Sequence, residues 1–186
     1  MLQVWSTQLS QQIQSQGGAT HTIFDPSQSS TFNNVPGSTW SISYGDQSTA
    51  SGTVGTDNVT IGGLTIQNQA VELADQLSAQ FIQDSGSSGL LGLAFGQLNT
   101  VKPTAVKTPV ENMIAQSDIS ADKELFTAYL GSWRDAAEPD QGKSFYTFGY
   151  IDQVCNHSSV LPMLARLSGS WALAKLPQAR PCDDLI

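Results

Sequence analysis

The residues of this 186-residue chain whose types could do chemistry are few and widely spaced. His21 and His157 stand too far apart in sequence, and too isolated, to suggest a metal site, so no metal is expected. Cys155 and His157 lie two apart without a third partner, which gives nucleophilic thiol catalysis no support. Cys155 and Cys182 are the only cysteines, and whether they pair stays open. No Gly-x-Ser-x-Gly elbow and no phosphate-cradling glycine loop occurs. More promising is Tyr44-Gly45-Asp46-Gln47-Ser48, which sets a phenol, a carboxylate and a hydroxyl around one turn. Asp46 and Ser48 have the groups to hold a substrate's backbone, and equally the groups to bond their own turn. Asp84-Ser85-Gly86 is the one aspartate followed by a hydroxyl residue and a glycine. Asn58-Val59-Thr60 and Asn156-His157-Ser158 fit the N-glycosylation pattern, which matters for a secreted chain.

The background to these residues is polar but weakly charged. Charged residues make up 13% of the chain, against about a quarter in ordinary soluble domains, and Ser, Thr, Gln and Gly fill the gap. The net charge of −8 argues against nucleic-acid and anionic-membrane partners, both of which need clustered Lys and Arg. Met1 to Val101 carries six acidic residues and no Lys or Arg. Such a stretch repels itself at neutral pH and relaxes as its carboxylates protonate, which suits work in acid and serves solubility as well. No run approaches the roughly 18 apolar residues of a membrane span. Leu2-Gln3-Val4-Trp5 has neither the basic nor the apolar region of a signal peptide.

The elements that must position the turn read as short strands. Trp40-Ser41-Ile42-Ser43-Tyr44 alternates large and small side chains, and the chain resumes through Val54 after the turn. Val59-Thr60-Ile61, Gly62-Gly63 and Leu64-Thr65-Ile66 make a hairpin, with glycines supplying the positive φ angles. Ala70–Leu73 reads as a further strand and Gly89–Phe95 as a buried apolar run. A helix starts at Thr108, with Pro109 in its first position and Glu111 closing a capping box. Strands follow at Leu125–Leu130 and Phe145–Ile151. The reading is mostly β with one or two short helices. Residues 153–186 have no strand or helix rhythm and include Pro162, Pro177 and Pro181, so they read as an irregular tail.

Several of these segments, in this order, resemble the pepsin family of aspartic endopeptidases, and within it the fungal aspergillopepsin- and penicillopepsin-like branch. Trp40–Asp46 resembles the flap that closes over substrate. Ser51-Gly52, Asp57–Gly63, Gln69–Glu72 and Ser78–Asp84 match the family's segments after the flap. Gly89–Phe95 is similar to the apolar segment beneath the family's first catalytic loop. Phe126 and Phe148–Asp152 fit the end of the first lobe and the start of the inter-lobe sheet. The likeness covers about residues 2–152 and implies a partial pepsin-like lobe there, with an unrelated tail from 153.

The resemblance implies a secreted monomer that acts on peptides or proteins in acid, without a cofactor. In this family each lobe gives one aspartate of an Asp-Thr/Ser-Gly loop. Two close carboxylates cannot both ionise, so one serves as acid while the other serves as base. The segment at Leu2–Thr7 corresponds to the stretch just after the first loop, and the second loop belongs to the other lobe, so neither catalytic aspartate is expected here. Asp84 follows Gln83 rather than an apolar strand and comes after the flap, so it is expected in a surface loop. The implied cleft residues are Tyr44, Gly45, Asp46 and Ser48 on the flap, with Phe81 and Leu90 lining a pocket or simply packing the core. Gln47 stands where a glycine is expected at the flap tip, and Gln3 where a tryptophan is expected to support the flap tyrosine. The expectation is an inactive fragment or relic of an endopeptidase, through a pseudogene or a misread start and end. The alternative is a non-catalytic protein that holds peptides or an inhibitor with the residual flap and cleft.

Overall fold

The computed structural model describes residues 1–9, 12, 21–84, 87–131, 134 and 143–152, and the chain divides into two compact units, Met1–Asp118 and Ile119–Ile186. The first unit is built on strands β1 (Leu2–Trp5), β2 (Asn33–Ser43), β3 (Thr49–Ile61), β4 (Leu64–Leu77) and β5 (Gly89–Leu91). They form one sheet in the order β2-β3-β4-β1-β5. The early strand β1 is inserted between later ones. It runs parallel to β4, pairing Gln3 with Glu72 and Trp5 with Ala74, and antiparallel to β5, pairing Gln3 with Leu90.

The hairpin expected at 59–66 is present, with Gly62 and Gly63 at φ 57° and 87°, the pair of positive angles a two-residue hairpin turn needs. Its strands run much longer than the alternation suggested, because register shifts at Ser51/Gly52 and Asp57/Val59 let β3 and β4 bend and continue. The short strand expected at 70–73 is therefore the middle of β4.

Residues 69–74 of β4 are all buried, so this strand is covered on both faces. One face belongs to the main core of Trp5, Leu9, Trp40, Ala50, Val54, Ala70, Ala74, Leu77, Ile82 and Val101. A short helix, α1 (Ala79–Gln83), follows β4 and buries Ile82. Against β4 also lies helix α2 (Pro109–Ala115), whose Asn112 Nδ2 donates to Gln69 Oε1 at 2.9 Å. The apolar run Gly89–Phe95 departs from expectation. Only residues 89–91 are strand, none of the seven is fully buried, and Leu91 is 38% exposed. An edge strand with one neighbour has no second partner to cover it. It needs glycine nonetheless, since a Cβ at position 89 would sit 2.2 Å from Gln3 O.

In the second unit β6 (Phe126–Tyr129) pairs antiparallel with β7 (Phe145–Phe148), both shorter than expected. Tyr129 stacks on Phe145 at 5.1 Å, and the Thr127 and Thr147 hydroxyls meet in the buried interior. The tail from 153, with Cys155, Asn156, His157 and Cys182, lies outside the described residues.

The capping box of α2 forms as its sequence implies. Thr108 Oγ1 accepts from Glu111 N at 3.3 Å, and Glu111 Oε2 accepts from Thr108 N at 2.7 Å. Thr108→Ala removes the first of these bonds and should lower the urea-unfolding stability by about 1 kcal/mol without altering the denaturant slope.

Candidate functional site

The turn between β2 and β3 is closed by Gln47 N donating to Tyr44 O at 3.0 Å and Tyr44 N donating to Ser48 O at 2.9 Å. Gln47 takes φ 68°, so the connection is a three-residue hairpin whose last residue is left-handed. This explains why glycine would be expected there, and Gln47 holds the position at a conformational cost. Asp46 spends its carboxylate on the same turn. Its Oδ1 accepts from Ser48 Oγ at 2.7 Å and from Ser48 N at 3.0 Å. Those two bonds hold the exposed Asp46 carboxyl below its usual range. Of the two roles open to Asp46 and Ser48 from sequence, bonding their own turn is the one occupied. Gly45 is exposed, and a Cβ there would meet nothing within 4 Å, so no steric demand imposes the glycine.

Tyr44 turns inward from this tip. Its ring meets Phe81 edge-on at 5.7 Å, and Phe81 in turn packs on the fully buried Trp5 at 5.5 Å. The Tyr44 hydroxyl donates to Gln3 Oε1 at 3.0 Å. Burial pushes the Tyr44 phenol above its ordinary pKa, the Gln3 bond opposing. Gln3 thus fills the supporting place expected of a tryptophan and keeps a polar contact. Leu90 is the strand partner of Gln3, so Tyr44, Gln3, Phe81 and Leu90 form one connected group. Phe81 and Leu90 also pack on the main core, so lining and packing coincide in these two residues.

Asp84 is exposed, at the end of α1, with Oδ2 accepting from Ser87 Oγ at 3.1 Å. An exposed position of this kind is unlike the buried site that a pair of catalytic carboxylates requires. Ser85 and Gly86 lie outside the described residues. Asn58 is exposed on β3, where its Oδ1 accepts from Asn68 N at 3.1 Å. No group of three or more His, Cys, Asp or Glu able to hold a metal occurs among the described residues.

Two residues here escaped sequence reasoning. His21 Nδ1 lies 2.7 Å from Ser87 O and its Nε2 lies 2.9 Å from Ile82 O, so the ring lies between Ile82 of α1 and Ser87 beyond it. Glu72 is the other. It is 1% exposed, it lies beside Gln3 across β1–β4, and neither carboxyl oxygen has a hydrogen-bond partner among the described residues. Burial pushes its pKa up to about 7, opposed in part by the Met1 amino group and the Gln3 amide. The signal that could have found it is an acid in the middle of Ala70-Val71-Glu72-Leu73-Ala74, a run apolar on both strand faces.

These environments set two measurable outcomes. The Glu72 carboxyl titrates near 4.5 when unfolded and near 7 when folded, so its contribution to stability is complete below about pH 4.5 and is lost as pH rises to 7. Glu72→Gln should match the parent chain at about pH 4 and exceed it at pH 8 by on the order of 3 kcal/mol in urea unfolding. Gln47→Gly, relieving the left-handed residue at the entropic cost of a glycine, should stabilise by roughly 0.5–1 kcal/mol at any pH.

The chain is similar to known proteins. A family model described as eukaryotic aspartyl protease matches residues 3–174, a span that includes the first part of the tail. Endothiapepsin from Cryphonectria parasitica is 47% identical over 139 residues, covering 75% of this chain and 30% of that protein. Penicillopepsin-1 from Penicillium janthinellum is 44% identical over 154 residues, covering 81% of this chain and 41% of that one. Rhizopuspepsin-3 from Rhizopus niveus is 44% identical, with coverages of 83% and 37%. The chain therefore spans about a third of the length of these relatives. The crystal structure of an aspartic proteinase from Irpex lacteus superimposes with a TM-score of 0.58 at 23% identity, over 81% of this chain and 38% of that one, a likeness of fold. On the family match and the mostly-β fold together, this chain belongs to the eukaryotic aspartyl protease family.

Proposed function

We propose that residues 1–152 are the flap-bearing part of a secreted, monomeric endopeptidase acting on peptides or proteins in acid, and that the 186 residues by themselves do not cut peptide bonds. The observation that carries this reading is the connected group under the hairpin tip. Tyr44 is half-buried against Phe81 with its hydroxyl on Gln3, beside a tip whose Gly45 presents bare backbone. An extended peptide laid along such a tip meets backbone groups it can bond, and aromatic and aliphatic side chains that select apolar residues. Asp46 and Ser48 serve this wall by fixing the turn. The reacting carboxylates are a different matter. Catalysis in this class needs two close, buried carboxylates with unequal pKa values. Asp84, the only aspartate in an Asp-Ser/Thr-Gly sequence, is exposed and bonded to Ser87. Secretion accords with the exposed Asn58 sequon as a glycan site, and Asn156 is the second candidate.

The second reading, a non-catalytic peptide-binding protein, is favoured by the same wall, since the hairpin tip and its aromatic support are complete without an aspartate pair. Binding and cleavage are separable by experiment. A short fluorescent peptide with apolar residues at its centre should bind the chain at about pH 3–5 and remain uncleaved, with Tyr44→Ala weakening binding about tenfold. Cleavage abolished by Asp84→Asn would make the chain an enzyme in its own right and overturn the proposal of inactivity. Binding indifferent to Tyr44→Ala would remove the hairpin from the peptide site.

A further inference from the structure

The row of strand partners Leu90–Gln3–Glu72–Val54 crosses the sheet on one face, since directly paired residues share a face. Leu90 and Val54 are apolar, so the two polar side chains of the row, Gln3 and Glu72, are 2% and 1% exposed with apolar partners on either side. Gln3 spends its Oε1 on the Tyr44 hydroxyl, and Glu72 has no hydrogen bond to either oxygen among the described residues. An amide has one accepting end and one donating end. Beside an ionised carboxyl it must turn the donating end inward, which leaves the oxygen for Tyr44. Beside a neutral carboxyl it faces a new O–H donor that competes with the Tyr44 hydroxyl for that oxygen.

We propose that Glu72 is a positioning residue for Tyr44: a proton taken up from solvent by its carboxyl reverses the demand on the Gln3 amide and so changes how the tyrosine at the hairpin tip is held. Ionised Glu72 leaves Gln3 Oε1 to the Tyr44 O–H. Protonated Glu72 donates to Gln3 Oε1, and Tyr44 then accepts from the amide nitrogen or swings away from it. No other atom is exchanged. The charged and titratable groups facing this site among the described residues are the Met1 amino group ahead of β1 and the Tyr44 phenol itself; Glu111 of α2 acts on the Met1 amino group. The Met1 amino group favours ionised Glu72 and burial favours the protonated form, and burial is the larger effect. The relay thus changes state in weakly acidic to neutral solution, well above the range of exposed carboxylates.

The test is carbon-13 NMR of the full chain, with labels in the tyrosine ring and the glutamate carboxyl, from about pH 4 to pH 9, below the ordinary range of a phenol. Tyr44 is assigned by Tyr44→Phe and Glu72 by Glu72→Gln. The expected result is a Tyr44 inflection sharing the Glu72 midpoint near neutrality. It should be absent in Glu72→Gln, and absent in Gln3→Leu although Glu72 still titrates high. A merely structural Glu72 would shift stability with pH and leave the Tyr44 signal flat. A flat Tyr44 signal, an inflection that survives Glu72→Gln, or a Glu72 midpoint in the ordinary carboxylate range overturns the proposal. So does a Glu72→Gln chain that loses its folded spectrum at pH 4, where the neutral isostere should replace a neutral acid. No peptide enters the measurement, so its outcome is independent of the peptide-binding reading.

Discussion

Strand β4 is covered on both faces between residues 69 and 74, and every polar group it carries must be answered from inside the protein. Most of these demands are met. Gln69 accepts from Asn112 and donates to backbone carbonyls, including Lys107 O at 3.3 Å, which ties α2 and the segment before it to the sheet. Ser6 Oγ donates to Ala74 O at 2.7 Å, fixing the end of β1 against β4. Trp40 Nε1 reaches from β2 to Leu73 O at 3.4 Å. The demand left unmet is Glu72, next to the amide that supports the hairpin-tip tyrosine. The depth at which β4 is buried therefore governs the docking of α2, the seating of β1 and the environment of Tyr44 together.

Much of this was legible in the sequence. The glycine pair at 62–63, the capping box at Thr108 and the alternation at 40–44 are local rules, and each yields its element in place. The merging of two short strands into β4 was not legible, because bulges depend on cross-strand partners that periodicity does not reveal. The exposure of Leu91 follows from β5 standing at the sheet edge, again a matter of topology. An apolar run read as buried, and at Gly89 the backbones do approach closely, but composition cannot tell an edge from a centre.

The candidate site divides in the same way. Tyr44, Phe81 and Leu90 were identified by a resemblance to a family, and the structure joins them with Gln3, one of the two departures from that family's pattern. An amide in a tryptophan's place preserves one hydrogen bond and introduces a group with two unlike ends. Asp46 and Ser48 carried two meanings in the sequence, and only coordinates could show that they spend their bonds on each other. His21 had no sequence signal at all, since its partners are two backbone carbonyls, which every residue possesses.

The placement of β1 also has a consequence for how the chain comes together in time. The β3–β4 hairpin closes through a two-residue turn and can zip from its own glycines on the timescale of local events. Strand β1 must find its slot between β4 and β5 by closing loops from Gln3 to Glu72 and Leu90, an entropic cost met only once both partners exist. During that interval β4 presents an unpaired edge, and the face meant for Trp5 and Gln3 stands open to any extended segment nearby. Synthesis from the N-terminal side makes β1 before β4 and β5, so it is the strand that waits for its partners, and its slot is where a foreign strand would compete.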